Sequence, residues 1–165
     1  MSLTDLLVPT YRQMLGTLSN WLDKARVQMP DGHADVLMSR RLAPDMFPLA
    51  TQIRFACVQA QEAVYRPRGE AFPASIARLL DEGRGGGEHP GSIADARARI
   101  DETIALLDSL APDALDADPE RAIAHALPNG MIFDLTSDQY ARDWTLPQFY
   151  FHLMIAYAIL RAEGV

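Results

Sequence analysis

The last long apolar stretch constrains this chain most. From Leu146 to Ala162, the residues Phe149, Tyr150, Phe151, Leu153, Met154, Ile155, Ala156, Tyr157, Ile159 and Leu160 place apolar surface on nearly every side of a helix. Water tolerates such a helix only when neighbouring elements, or a second copy of the chain, cover most of its faces. Its apolar core, Phe149 to Leu160, is interrupted by His152 and falls short of the roughly 18 residues needed to span a membrane. The segment therefore reads as a central helix, and the rest of the chain must supply partners for it.

Those partners are legible. Leu7, Tyr11, Met14, Leu18, Trp21 and Ala25 follow the three-four alternation of a bundle helix over Leu3 to Met29, with Pro9 marking either its true start or a kink. Pro30 to Asp45 reads as a long connection. Pro48 suits the first turn of a second helix that ends near Tyr65, before Pro67, with Ile53, Ala56, Cys57, Ala60 and Val64 on its inner face. A short amphipathic piece spans Ala74 to Asp81, with Gly83 as its expected stop, and the glycine-rich run Gly83 to Gly91 reads as an exposed mobile loop. Ser92 and Asp95 resemble a capping box for a third long helix running to about Leu110.

The pattern then changes. Ala122 to Leu127 and Met131 to Leu135 flank Pro128-Asn129-Gly130, and Asn-Gly between two short segments predicts a hairpin. One or two helical turns are expected over Ser137 to Asp143. Thr145 then suits the cap of the last helix, with Pro147 in its first turn. The expected fold is all-α: a four-helix bundle in one domain over residues 1–165, with a short β-hairpin between the third and fourth long helices.

Charge and cysteine usage narrow the partners. A net charge of −7 repels phosphate backbones and anionic lipid heads, so neither nucleic acid nor a membrane surface is expected to bind. Cys57 is the single cysteine, which fits a reducing, cytoplasmic setting, and Met1 to Arg12 lacks the basic start of a secretory signal. No Ser-His-Asp spacing, dinucleotide glycine motif or phosphate loop is present.

The ionisable residues offer little catalytic pattern. His33, His89, His125 and His152 include no pair within one helical turn, so a three-ligand bundle metal site would need scattered pieces. His33 and His89 read as solvated, and His125 is uninformative. His152, set within Phe-Tyr-Phe-His-Leu-Met, must be hydrogen-bonded in the core or line a pocket between helices. Asp45, Gln52 and Tyr157 are its expected polar neighbours. Asp45 also suits a position that meets free amides at the start of the second helix. Cys57, with no adjacent base, reads as a small core residue.

The segments Arg41-Leu-Ala-Pro-Asp-Met-Phe-Pro-Leu49, Ala126-Leu-Pro-Asn129 and Leu146-Pro-Gln-Phe-Tyr-Phe-His-Leu-Met-Ile-Ala-Tyr-Ala-Ile-Leu-Arg161, together with Pro9-Thr-Tyr-Arg-Gln-Met-Leu, resemble the DUF1993 family of bacterial proteins. That family is similar to the DinB/YfiT-like superfamily of four-helix bundles, and the resemblance implies the same architecture and a homodimer. Many superfamily members hold a divalent metal through a histidine of helix two and a His-x-x-x-His pair of the last helix, and some are thiol-dependent transferases. Here His152 matches one member of the pair, but Ala156 stands four residues later and helix two offers Gln52, Gln59 and Gln61. The expectation is an uncharacterised accessory protein, binding an unknown small molecule or serving a stress response, with no metal and no cofactor. One alternative is a metal- and thiol-dependent transferase or hydrolase drawing on Asp45 or Gln52 with His152. The other is a structural interaction module.

Overall fold

The computed structural model describes the chain apart from Met1, Asp31, Gly32 and Pro128. Four long helices carry it: α1 (Leu3–Gln28), α2 (Leu49–Tyr65), α4 (Ile93–Asp108) and α6 (Leu146–Ala162). A short α3 (Ala74–Arg84) lies on α2, a two-stranded ribbon of β1 (Ala122–Ala126) and β2 (Ile132–Thr136) follows α4, and α5 (Ser137–Gln139) leads toward α6. The long helices pack as a ring in which α4 and α6 each touch both α1 and α2. Leu7, Tyr11, Leu15 and Leu18 of α1 meet Ile53, Ala56 and Ala60 of α2, Ile100 of α4, and Phe149, Leu153 and Ala156 of α6 in one apolar core. Each large aliphatic or aromatic side chain buried there contributes about 1.5–3 kcal/mol relative to exposure.

Helix α1 starts ahead of Pro9, because its free amides have partners. Ser2 Oγ accepts from Asp5 N–H at 3.0 Å, and the Asp116 carboxylate accepts from Leu3 and Thr4 N–H. Pro9 is thereby carried inside the helix. The connection after α1 contains a 3₁₀ helix, His33–Ser39, which buries Leu37 and Met38. Pro48 sits one residue ahead of its expected place, as the cap of α2, where its carbonyl accepts from Thr51 and Gln52 N–H.

The glycine-rich run departs from expectation. Gly83 lies inside α3, and the helix closes at Gly85, whose N–H returns to the Asp81 carbonyl. Gly83 and Gly86 are buried against α2: a Cβ at Gly83 would stand 2.4 Å from the Phe55 ring, and one at Gly86 2.6 Å from Thr51 Oγ1. Thr51 Oγ1 donates to the Gly83 carbonyl at 2.8 Å, so these glycines permit close helix contact instead of forming a loose loop. The Ser92–Asp95 capping box is present at the start of α4.

In the ribbon, Ala122 pairs with Thr136 and Ala126 with Ile132, antiparallel. The turn contains Asn129, whose side-chain oxygen accepts from Met131 N–H, and Gly130 at φ +86°; the Pro128 of the expected turn lies outside the described residues. Thr136 and Gln139 cap α5 reciprocally. The chain then winds through a π-helical stretch, Tyr140–Thr145, straight into α6. Thr145 therefore does not cap α6. It has helical backbone angles, its Oγ1 donates to the Gln59 carbonyl at 3.0 Å, and it accepts from the Tyr11 hydroxyl at 3.1 Å.

Candidate functional site

His152 faces the first turn of α2. Gln52 Nε2 donates to the Phe47 carbonyl at 3.3 Å, which turns Gln52 Oε1 toward the imidazole 2.8 Å away. An amide oxygen only accepts, so His152 Nδ1 carries the proton and Nε2 keeps its lone pair. Phe55 and Phe151 meet the ring edge-on, with centroids at 5.3 and 5.1 Å, and Phe47 extends the cluster to Phe55 at 5.6 Å. Burial pushes the His152 pKa down to about 4, so the ring is neutral at physiological pH. A neutral imidazole with one nitrogen anchored and the other without a protein partner among the described residues can accept a hydrogen bond from a ligand whose apolar part rests on the phenylalanines.

The other expected neighbours lie elsewhere. Asp45 is exposed in the turn before α2, and neither a capping bond to α2 nor a bond to His152 forms among the described residues. Tyr157 turns to Trp21 of α1, ring centroids 5.0 Å apart, beside a 240 Å³ cavity with Lys24 and Arg161. His33 and His89 are exposed. Cys57 is fully buried, and burial pushes its thiol up to about 12, far from a reactive thiolate.

The three-histidine metal site that the family resemblance raises does not fit these residues. Gln52 occupies the helix-two side of His152, and Ala156, wholly buried, stands where the second histidine of the pair would be. Among the described residues no group of three or more histidine, cysteine, aspartate or glutamate side chains could hold an ion. A 530 Å³ cavity between α2, α3 and α4 is distant from this chemistry; Arg99 there is engaged by Glu82 at 2.8 and 2.9 Å and by Glu102 at 2.7 Å.

A second polar cluster escaped the sequence reading. The Tyr140 hydroxyl, fully buried in the π-helical stretch, donates to Glu62 Oε2 of α2 at 3.3 Å. Burial raises the Glu62 pKa, against the nearby Arg66. His125 of β1 packs on Trp144 at 4.4 Å and on Tyr140 at 5.5 Å, and burial, aided by Arg66, pushes its pKa down to about 4. His125 Nδ1, Trp144 Nε1, Ser137 Oγ and Gln59 Oε1 are buried without a protein partner among the described residues. The available signal was period two: Ile123 and His125 are the inward positions of β1, between outward alanines.

Four long helices and a two-stranded ribbon define a mostly helical protein. The crystal structure of a DinB family member protein from Shewanella denitrificans matches with a TM-score of 0.74 and 29% sequence identity, covering 99% of this chain and 86% of that one. The family model for the domain of unknown function DUF1993 matches residues 3–165, and the chain belongs to that family. No curated protein matches it.

Proposed function

We propose that this protein is a small-ligand-binding accessory protein, a single four-helix-bundle domain that acts as a homodimer without a catalytic metal. The observation that carries this reading is the neutral His152, fixed by Gln52 in one tautomer and walled by Phe47, Phe55 and Phe151. That arrangement suits recognition of an uncharged donor attached to an apolar group; it lacks the anionic or imidazole partners that a transition metal requires. The dimer is supported by the outer face of α6, where Tyr150, Phe151, Met154 and Tyr157 are 38–52% exposed in one stripe.

Elemental and untargeted metabolite analysis of protein purified without chelator or added ligand tests the reading. The expected result is no stoichiometric zinc, nickel or iron, and a small apolar molecule whose recovery falls in His152→Ala. Near-stoichiometric transition metal lost in His152→Ala would replace this reading with the metal- and thiol-dependent transferase.

A further inference from the structure

A 410 Å³ cavity opens where the C-terminal end of α2 meets the start of β1, and two arginines line it. The Arg66 guanidinium lies 4.8 Å from the centre of the Phe72 ring and 5.9 Å from that of Tyr140, so aromatic faces hold it in place. It has no ion pair among the described residues, and its Nε is buried without a partner. Arg121 lies across Gly69: a Cβ there would come within 2.6 Å of Arg121 Nη1, and Gly69 itself adopts φ +67°. Arg121 reaches one carboxylate among the described residues, Asp118 at 3.7 Å, beyond hydrogen-bonding distance, and its Nε is likewise buried and unpartnered. Two rigid forks thus converge on one cavity with their donors largely unused.

The strand beside them adds directional groups. Leu127 N–H donates to the Met131 carbonyl, and Ser137 N–H to the Arg121 carbonyl. Hydrogen-bonded pairs alternate along an antiparallel ladder, so the N–H and C=O of Ala122 and Ala124 point away from β2, along a free edge. Both alanines line the same cavity. The acid that also lines it, Glu70, is engaged by Arg68 at 2.6 Å.

We propose that this cavity binds a carboxylate adjoining an amide, the terminus of an N-acyl amino acid or of a peptide with a free C-terminus. Arg66 and Arg121 take the carboxylate, and the amide pairs with the β1 edge at Ala122 and Ala124. Clamping of Arg66 by Phe72 and Tyr140 means that the fork loses little freedom on binding. The cavity volume falls in the usual range for small-molecule sites. No lining residue is shared with the His152 site, so this assignment stands or falls independently of it.

Isothermal titration of the full chain with N-acetylglycine, N-acetyl-tetraalanine and the uncharged N-acetylglycinamide tests the assignment. Saturable binding of at least one carboxylate is expected, with N-acetylglycinamide weaker by about tenfold or more. Arg66→Gln and Arg121→Gln should each weaken binding by about tenfold or more, whereas Arg142→Gln, an exposed arginine paired with Asp138 and Asp143, should not change it. Stronger binding of the tetrapeptide assigns the site to peptide ends, and stronger binding of N-acetylglycine to free N-acyl amino acids. Thermal melts establish that the variants are folded, and Arg121, away from the aromatic clamp, serves if Arg66→Gln unfolds the protein. No saturable binding of either carboxylate at millimolar concentration, equal binding of N-acetylglycinamide, or unchanged affinity in folded Arg121→Gln overturns the proposal.

Discussion

The hydrogen bond from His152 to Gln52 joins buried groups, which sets the sign and size of what its loss should do. His152→Leu leaves the Gln52 carbonyl oxygen buried without its donor, so a loss of about 1–3 kcal/mol in urea unfolding at pH 7 is expected. The penalty should depend on pH. The folded-state pKa of about 4 lies below the ordinary value of 6.5, so between these limits the unfolded chain binds more protons. The histidine's contribution is therefore present above pH 6.5 and is lost as pH falls toward 4. Glu62, whose pKa is raised by burial, acts with the opposite sign, which is why the difference between wild type and His152→Leu is the quantity to follow. A difference that stays constant from pH 7 to pH 4 would contradict the buried, neutral imidazole. The sequence made His152 and Gln52 recognisable because a polar residue inside an apolar run demands a partner. Asp45 and Tyr157 were less accessible to that argument: which side of a helix or turn a residue takes depends on neighbours distant in sequence, here Trp21 for Tyr157.

Among the elements, the long helices were readable from their apolar spacing, because burial of one face against a common core enforces that spacing whatever the connections do. Two junctions were not. Gly83 to Gly91 has loop composition, yet Thr51 and Phe55 leave no room for side chains at Gly86 and Gly83. Thr145, two residues before Pro147, carries the local chemistry of a cap, but the helix arrives already wound and the hydroxyl serves Tyr11 and Gln59 across the core. Thr145→Val keeps the shape and removes both bonds, leaving the buried Tyr11 hydroxyl without its acceptor. The expected cost is about 1–3 kcal/mol by chemical denaturation, with the helical content of the native state unchanged. A cost near zero would mean that water takes over both bonds.

For the molecule as a whole, the apolar stripe on α6 carries the dimer proposal. Phe151→Asp combined with Met154→Asp places two charges in that stripe and should shift sedimentation from dimer to monomer while the circular dichroism spectrum stays helical. Wild-type protein that sediments as monomer at micromolar concentration would remove the dimer. The overall helical class was legible because it follows from summed periodicity, whereas the cluster of His125, Glu62, Tyr140 and Trp144 was not, since it joins α2, the ribbon and the winding ahead of α6. That winding has a consequence for how the protein tolerates change in chain length. A π turn accommodates one residue more than an α-helical path, so deleting one residue within Tyr140–Thr145 should leave a regular helix behind. Because the π turn spends one residue more on the same rotation, a deletion between Ala141 and Thr145 should leave Tyr140 and the ribbon close to their present orientation about the α6 axis, whereas a deletion within the regular turns of α6 would swing everything before it by about 100°. At this point in the chain, then, the fold holds one residue in reserve, and losing it costs the architecture far less than losing a residue from any regular turn nearby.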